Sequence, residues 1–166
     1  DYYASRGLGD VYKRQEYILW ARKEPKIPHF FNYELMKKIN GGTQMRDVWR
    51  LPAIAPWEKS CGKHPTQKPL CVLSRIIQAS TLSGAWILDP FAGSSTTGIA
   101  ANLLGRRFLG IDQNETFLKL SRARREEINN ISKRAIYLEK LHIQSSHLHI
   151  DCLEEPCAQY GPDLPF

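Results

Sequence analysis

No stretch of this 166-residue chain approaches the roughly 18 apolar residues that a membrane-spanning helix needs. Its opening residues, Asp-Tyr-Tyr-Ala-Ser-Arg, carry no apolar signal region. The four cysteines (Cys61, Cys71, Cys152 and Cys157) form no paired Cys-x-x-Cys knuckle, and no histidine stands at zinc-finger distance from a cysteine pair. Cys152 and Cys157 do lie near His147 and His149, but ligand number and spacing fit no common metal site, so none is expected. Reduced thiols in a cytoplasmic protein are the better reading. There is no internal repeat and no coiled-coil heptad.

What is present is one domain's worth of chain, with a hydrophobic share of 42% that suits a modest core. The 23 basic and 17 acidic side chains leave a net charge of +6, compatible with a polyanionic partner without requiring one. The run Ser5 to Gln15 fits neither helix nor strand periodicity and resembles translated adapter sequence at the end of an assembled contig. Residues 1–15 are therefore expected to be foreign to the fold, and the chain a truncated reading frame.

Beyond that leader, Tyr17 to Ala21 is a short apolar run that predicts a buried strand ended by Pro25 and Pro28. Asn32 predicts a helix cap, with Glu34 in the first turn, Lys37 and Lys38 in the last, and Asn40-Gly41-Gly42 as the stop. From Thr43 to Lys68 prolines fall at short intervals around Trp49 and Trp57, which predicts an ordered loop on a surface. A helix is expected from Pro69 to about Ala79, its apolar stripe made by Leu70, Leu73, Ile76 and Ile77. A strand Ala85 to Leu88, a helix Thr96 to Leu104, a strand Arg107 to Ile111 and a helix from Asn114-Glu115 to about Asn129 follow. In that last helix Phe117, Leu118 and Ser121 share a side. Lys119, Arg122, Arg124 and Arg125 read as a solvated face partly paired with Glu126 and Glu127. This order predicts half of a doubly wound, mostly parallel α/β sheet. After Asn130 the pattern blurs, with Ile136 to Ile143 and His147 to Ile150 strand-like. Three regions are expected: the leader 1–15, a cofactor-bearing part 16–130, and an extension 131–166.

The most informative stretch is Trp86 to Gly98, Trp-Ile-Leu-Asp-Pro-Phe-Ala-Gly-Ser-Ser-Thr-Thr-Gly. It reads as strand, tight turn and helix N-terminus, an arrangement that holds a charged cofactor against a parallel sheet. Asp89 stands at the carboxyl end of the strand. Pro90 and Phe91 stiffen the turn, and Phe91 can pack beside an adenine or under the loop. Ala92, Gly93, Ser94 and Ser95 leave the backbone open to close approach. Thr96 and Thr97 offer hydroxyls and free amides that suit a carboxylate. Asp112, 23 residues after Asp89, ends the second strand where a ribose needs an acceptor. Such a charge-assisted bond contributes about 1.5–3 kcal/mol. No Gly-Lys-Ser/Thr follows the turn, which excludes a P-loop, and with only Gly93 and Gly98 available the dinucleotide G-x-G core is missing.

Two pieces of the chain resemble one family. Asp89 to Gly98 is similar to the S-adenosyl-L-methionine motif of amino-group DNA methyltransferases, which act on adenine N6 or cytosine N4. Gly62-Lys63-His64-Pro65-Thr66-Gln67-Lys68-Pro69 is similar to the companion motif that precedes it in the permuted, beta-class order. Arg46 to Trp49 with Pro52 and Glu58-Lys59 resembles the run leading into that motif, and Arg106 to Asp112 the ribose-binding strand end. The resemblance covers about residues 16 to 128 and points toward type II modification enzymes that methylate adenine. It implies a partial Rossmann-like methyltransferase fold, S-adenosyl-L-methionine as cofactor, duplex DNA as substrate and a cognate restriction endonuclease as companion. It also implies that His64, Pro65, Thr66, Gln67 and Lys68 contact the methionine end of the cofactor. Asp89, Pro90, Phe91, Ala92 and Gly93 would shape the pocket that continues through Ser94, Ser95, Thr96 and Thr97, and Asp112 would bind the ribose.

Two departures matter. The family usually has glycine where this chain has Ser95; if that position needs a positive φ, the serine costs about 1 kcal/mol. Binding would then be weakened rather than lost, as calorimetry on Ser95→Gly reads. The second departure is the lack of any Pro-Pro pair. In the family an Asp/Ser/Asn-Pro-Pro-aromatic loop grips the flipped base, and in the permuted order it lies upstream. The chain is therefore expected to be a C-terminal fragment that holds the cofactor half, is inactive alone and has no catalytic residue of its own. Lys26, Lys37, Lys38, Arg46 and Arg50 are the candidates for phosphate contacts. The rival readings are a small-molecule or RNA methyltransferase, against which the His64 to Pro69 motif argues, a cytosine N4 enzyme, and a non-catalytic DNA-binding or structural remnant.

Overall fold

Alternation of small and apolar residues with turn formers produces five helices and two strands in the computed structural model, which describes residues 16–142. Helix α1 spans Tyr33–Ile39, and the Asn32 side chain accepts from the Leu35 N–H at its start. A single 3₁₀ turn, Pro56–Lys59, interrupts the proline-rich segment. Helix α2 is Leu70–Ser80 with Pro69 at its N-cap, strand β1 is Trp86–Asp89 and helix α3 is Thr96–Leu103. Strand β2 (Arg107–Gly110) and helices α4 (Glu115–Asn129) and α5 (Ile131–Lys140) complete the order.

The two strands pair in parallel, Trp86 opposite Arg107 through Asp89 opposite Gly110, joined by α3 as the crossover. Parallel neighbours require such a crossover, and it is a partial Rossmann-like α/β unit. Helix α3 is small-sided and lies against both strands and against α2, α4 and α5. Around it Leu70, Ile77, Ile99, Ala100, Ala101, Leu103, Leu104, Ile128 and Tyr137 form the main core, with Ile87 and Phe108 packed on from the sheet. Gly98 is what permits the close approach: a Cβ there would stand 2.5 Å from the Phe108 ring. The opposite sheet face is bare, with Trp86 67%, Leu88 62% and Leu109 55% exposed, so the doubly wound sheet is present as one covered face among the described residues.

Three local expectations are corrected. Tyr17 to Ala21 is not a buried strand; it has no regular structure and Leu19 is 94% exposed. An apolar run becomes a strand only when a neighbour satisfies its backbone groups, and β1 and β2 pair with each other. The strand-like reading of Ile136 to Ile143 fails because α5 occupies it through Lys140. Asn130 caps that helix by accepting from the Lys133 N–H, and Tyr137, Leu138 and Leu141 face the core at helical spacing. Arg124 does not belong to a solvated face: it is 2% exposed, while Arg122 and Arg125 are exposed. The strand-like reading of His147 to Ile150, the 1–15 leader and the Cys152/Cys157 pair lie outside the described residues.

Two contacts fasten the helices to the loops. The Arg134 guanidinium donates to the Asn102 and Leu103 carbonyls at 2.8 and 3.2 Å, completing the C-terminal end of α3. The Glu127 carboxylate accepts from the Ser60 hydroxyl (2.8 Å), the Cys61 thiol (3.2 Å), the Tyr137 hydroxyl (3.0 Å) and the Lys133 ammonium (3.0 Å). Burial alone would raise its pKa, but these four donors outweigh that and hold it at about 2. Burial pushes the Tyr137 phenol in the other direction, to about 12.

A carboxylate whose folded pKa lies below its ordinary 4.5 contributes stability that is complete above that value and lost as pH falls through about 2. Urea titrations at stepped pH are therefore expected to show stability falling between about 4.5 and 2, and Glu127→Gln to flatten that part of the profile. An unchanged profile in the variant contradicts the role given to this carboxylate.

Candidate functional site

The carboxyl ends of β1 and β2 define the site, since a parallel sheet with its crossover helix leaves a crevice there. The loop after β1 is fixed from within by Asp89. One oxygen accepts from the Phe91 N–H at 3.1 Å, and the other accepts from the Thr97 hydroxyl at 2.7 Å. Both oxygens of this residue thus serve the scaffold, tying the turn to the first turn of α3. The parallel ladder continues past the strands, because the Ala92 N–H donates to the Ile111 carbonyl at 2.9 Å.

Asp112 closes the loop from the neighbouring strand end. It accepts from the Asn114 N–H at 2.8 Å and from the Gly93 N–H at 2.7 Å, one on each carboxylate oxygen. These two bonds, Asn114 first, hold its pKa below the usual carboxylate range. Each oxygen keeps a second lone pair, so a ribose hydroxyl can still donate. Gly93 has φ +50°, and a Cβ there would stand 3.0 Å from Nε2 of His64. A side chain at this position would collide with the imidazole or fill the space the loop leaves open.

His64 reaches this spot from the proline-rich segment. Its Nδ1 accepts from the Thr66 N–H at 3.2 Å, which in the neutral ring assigns the proton to Nε2, the atom nearest Gly93. The ring packs on Phe117 of α4 with centroids 4.1 Å apart. Other members of the motif go elsewhere. Gln67 is buried and donates to the Glu58 carbonyl at 3.0 Å, and Lys68 pairs with Glu16 at 2.7 Å on the surface. Pro65 and Thr66 are exposed, as is Pro90. Phe91 is 88% exposed and does not pack under the loop. The structure therefore brings together His64, Gly93 and Asp112, with Ala92 alongside, and keeps Gln67 and Lys68 apart from them.

The far side of the loop is buried. Ser94, Ser95 and Thr96 are 3%, 4% and 5% exposed, so their side chains support the loop from beneath. Arg124 grips this side: one Nη donates to the Ser94 carbonyl at 2.6 Å and to the Thr96 hydroxyl at 3.0 Å. Its second Nη is buried without a partner among the described residues. Burial pushes the guanidinium pKa down from its ordinary value. Hydrogen bonds from a charged donor contribute about 1.5–3 kcal/mol each at such a site. Sequence reasoning missed this residue, although Phe117, Ser121, Arg124 and Ile128 follow the spacing of one inward helix face.

Ser95 adopts φ +58°, ψ +39°, the left-handed region that disfavours a side chain. The condition on which its strain depends is therefore met. Glycine relieves about 1–2 kcal/mol here and returns roughly half of that through a freer unfolded chain. Ser95→Gly is expected to raise the denaturation midpoint, for a net gain of roughly 0.5–1 kcal/mol; an equal or lower midpoint contradicts the strain.

Comparison with known proteins adds sequence relationships to this geometry. Type II methyltransferase M2.MboI of Moraxella bovis is 60% identical over 118 residues, which is 71% of this chain and 43% of that protein. M2.DpnII of Streptococcus pneumoniae is 56% identical over 115 residues, 69% of this chain and 43% of its own length. M2.LlaDCHI of Lactococcus lactis subsp. cremoris is 54% identical over 110 residues, 66% of this chain and 41% of that protein. The chain thus spans less than half the length of the curated relatives it matches. A family model described as DNA methylase matches residues 3–123. The chain belongs to this DNA methylase family.

Proposed function

We propose that this chain holds S-adenosyl-L-methionine at the ends of β1 and β2 and, within a longer protein, serves methylation of the exocyclic amine of adenine in duplex DNA. The observation that carries the reading is the approach of His64 to Gly93 beside Asp112, residues far apart in sequence that the two resembling motifs contribute. The residues fit the cofactor in two respects. Asp112 keeps acceptor capacity for ribose hydroxyls, and α3 points its N-terminus at the loop. Bound there, the cofactor supplies an electrophilic methyl group on a sulfonium.

The chain's own residues would bind and orient. Asp112 would hold the ribose through charge-assisted hydrogen bonds, and the Gly93–Ser94 backbone would line the path of the methionine end. The His64 imidazole, directed by Thr66 and backed by Phe117, would border the pocket opposite the loop. Burial of Gln67 gives it a different task, which is to fix the His64 segment to the carbonyl of Glu58. The adenine assignment rests on the sequence resemblance to adenine-modifying type II enzymes; the family also includes cytosine N4 enzymes. Gripping the target base falls to residues outside this chain, since no Pro-Pro-aromatic loop is present in it.

Calorimetry with S-adenosyl-L-methionine tests the cofactor half: Asp112→Ala is expected to lose roughly tenfold or more in affinity. Fusing the chain behind the part of M2.MboI that it does not match tests the reaction. Labelled methyl appearing on adenine of duplex DNA is expected. Label on cytosine alone contradicts the adenine assignment, and unaltered cofactor affinity in Asp112→Ala contradicts the site.

A further inference from the structure

A hollow of about 440 Å3 lies between the segment after α1 and the side of α2, and its lining contains Arg46, Arg50, Arg75 and Trp49 but no acidic residue. It shares no lining residue with the cluster of His64, Gly93 and Asp112. The segment that forms it is held in shape by its own hydrogen bonds. The Asn40 amide donates to the Thr43 carbonyl, the Thr43 hydroxyl oxygen and the Gln44 carbonyl, each at 3.1 Å, and the Thr43 hydroxyl donates back to the Asn40 carbonyl at 3.0 Å. The Trp49 indole N–H donates to the Arg46 carbonyl at 2.8 Å. From α2, the Arg75 guanidinium lies over the Trp49 ring, 5.1 Å from its centroid.

Three guanidiniums in one concavity repel one another, and no carboxylate forms an ion pair with any of them among the described residues. Asp47, between Arg46 and Trp49, is not part of the lining. Burial presses the Arg75 pKa downward, the penalty for an incompletely solvated cation. An arrangement of this kind raises positive potential and is relieved by an anion. The guanidinium fork matches phosphate oxygens in pairs, and the hollow falls within the volumes typical of ligand sites.

We infer that this hollow receives a backbone phosphate of the DNA strand, gripped by Arg46, Arg50 and Arg75. The inference rests on the reading of the protein as a DNA methyltransferase and assigns a contact for its substrate. Arg46 and Arg50 supply exposed, mobile-stemmed charges from the loop, while Arg75 is a fixed one, braced by Trp49. Such contacts hold register on the duplex and carry no base information.

Fluorescence anisotropy of this chain with a short duplex of arbitrary sequence, over a range of salt concentrations, tests the assignment. The slope of log affinity against log salt is expected to fall by about 1 for each of Arg46→Gln and Arg50→Gln, and by about 2 when they are combined. Both arginines are exposed, so thermal midpoint and S-adenosyl-L-methionine affinity are expected to stay unchanged, and Arg75→Gln to lower the slope in the same way. An unaltered slope in all variants, with cofactor binding intact, overturns the hollow and leaves the proposed function standing. Binding of inorganic phosphate that Arg46→Gln and Arg50→Gln abolish, with duplex affinity and slope unaltered, overturns the DNA assignment in favour of a free anion. A wild-type chain that binds neither duplex nor cofactor overturns both readings.

Discussion

The Asp112 carboxylate, by accepting the Gly93 N–H, ties the loop after β1 to the end of β2. The two strands alone run only Trp86–Asp89 and Arg107–Gly110, a ladder too short to fix anything beyond its own ends. The hydrogen bond carries that parallel order into the loop, where Ala92 also donates to Ile111. With the loop fixed, the positive φ of Gly93 and Ser95 becomes a property of the site, and the imidazole of His64 has a defined surface to approach. The same carboxylate keeps lone pairs free, so the ribose contact proposed for it would fall on the residue that supports the loop.

Helix α4 gauges the rest. From one inward side it offers Phe117 to His64, Arg124 to Ser94 and Thr96, and Glu127 to Ser60 and Cys61. The first and third contacts act on the proline-rich segment, and the second acts on the loop after β1. Both halves of the site are thus referenced to one rigid element. A helix is suited to this because its side-chain directions are set by the backbone and by packing of Ile128 beneath it. The polar contacts are expensive to bury and effective once satisfied, which gives the site a stiff base while Phe91 and Pro90 stand out in solvent.

Much of this was legible in the residues. Asn32 and Asn114 mark helix starts, Gly41-Gly42 marks an end, and the run from Trp86 to Gly98 spells out strand, turn and helix. These signals are local, since a cap or a turn needs only its own neighbours. The failures came where a distant partner decides. Tyr17 to Ala21 has strand composition, yet nothing described pairs with it, and Arg124 has the chemistry of a surface residue but finds a carbonyl and a hydroxyl inside. Gln67 looked like part of a ligand-facing motif, while Glu58, twelve residues before Leu70 and bonded to its N–H, draws the segment inward. In each case the deciding partner is non-local, and composition carries no record of it.

The sulfonium nucleoside is expected to seat against the cluster that His64, Gly93 and Asp112 form. Nuclear magnetic resonance of the isotopically labelled chain during titration with S-adenosyl-L-methionine reads this out residue by residue. The Gly93 amide and the His64 ring signals are expected to shift together with one saturating curve, while the signals of Trp49 and Arg75 stay in place. Saturable shifts confined to other parts of the chain, or no shift at either residue, would contradict it.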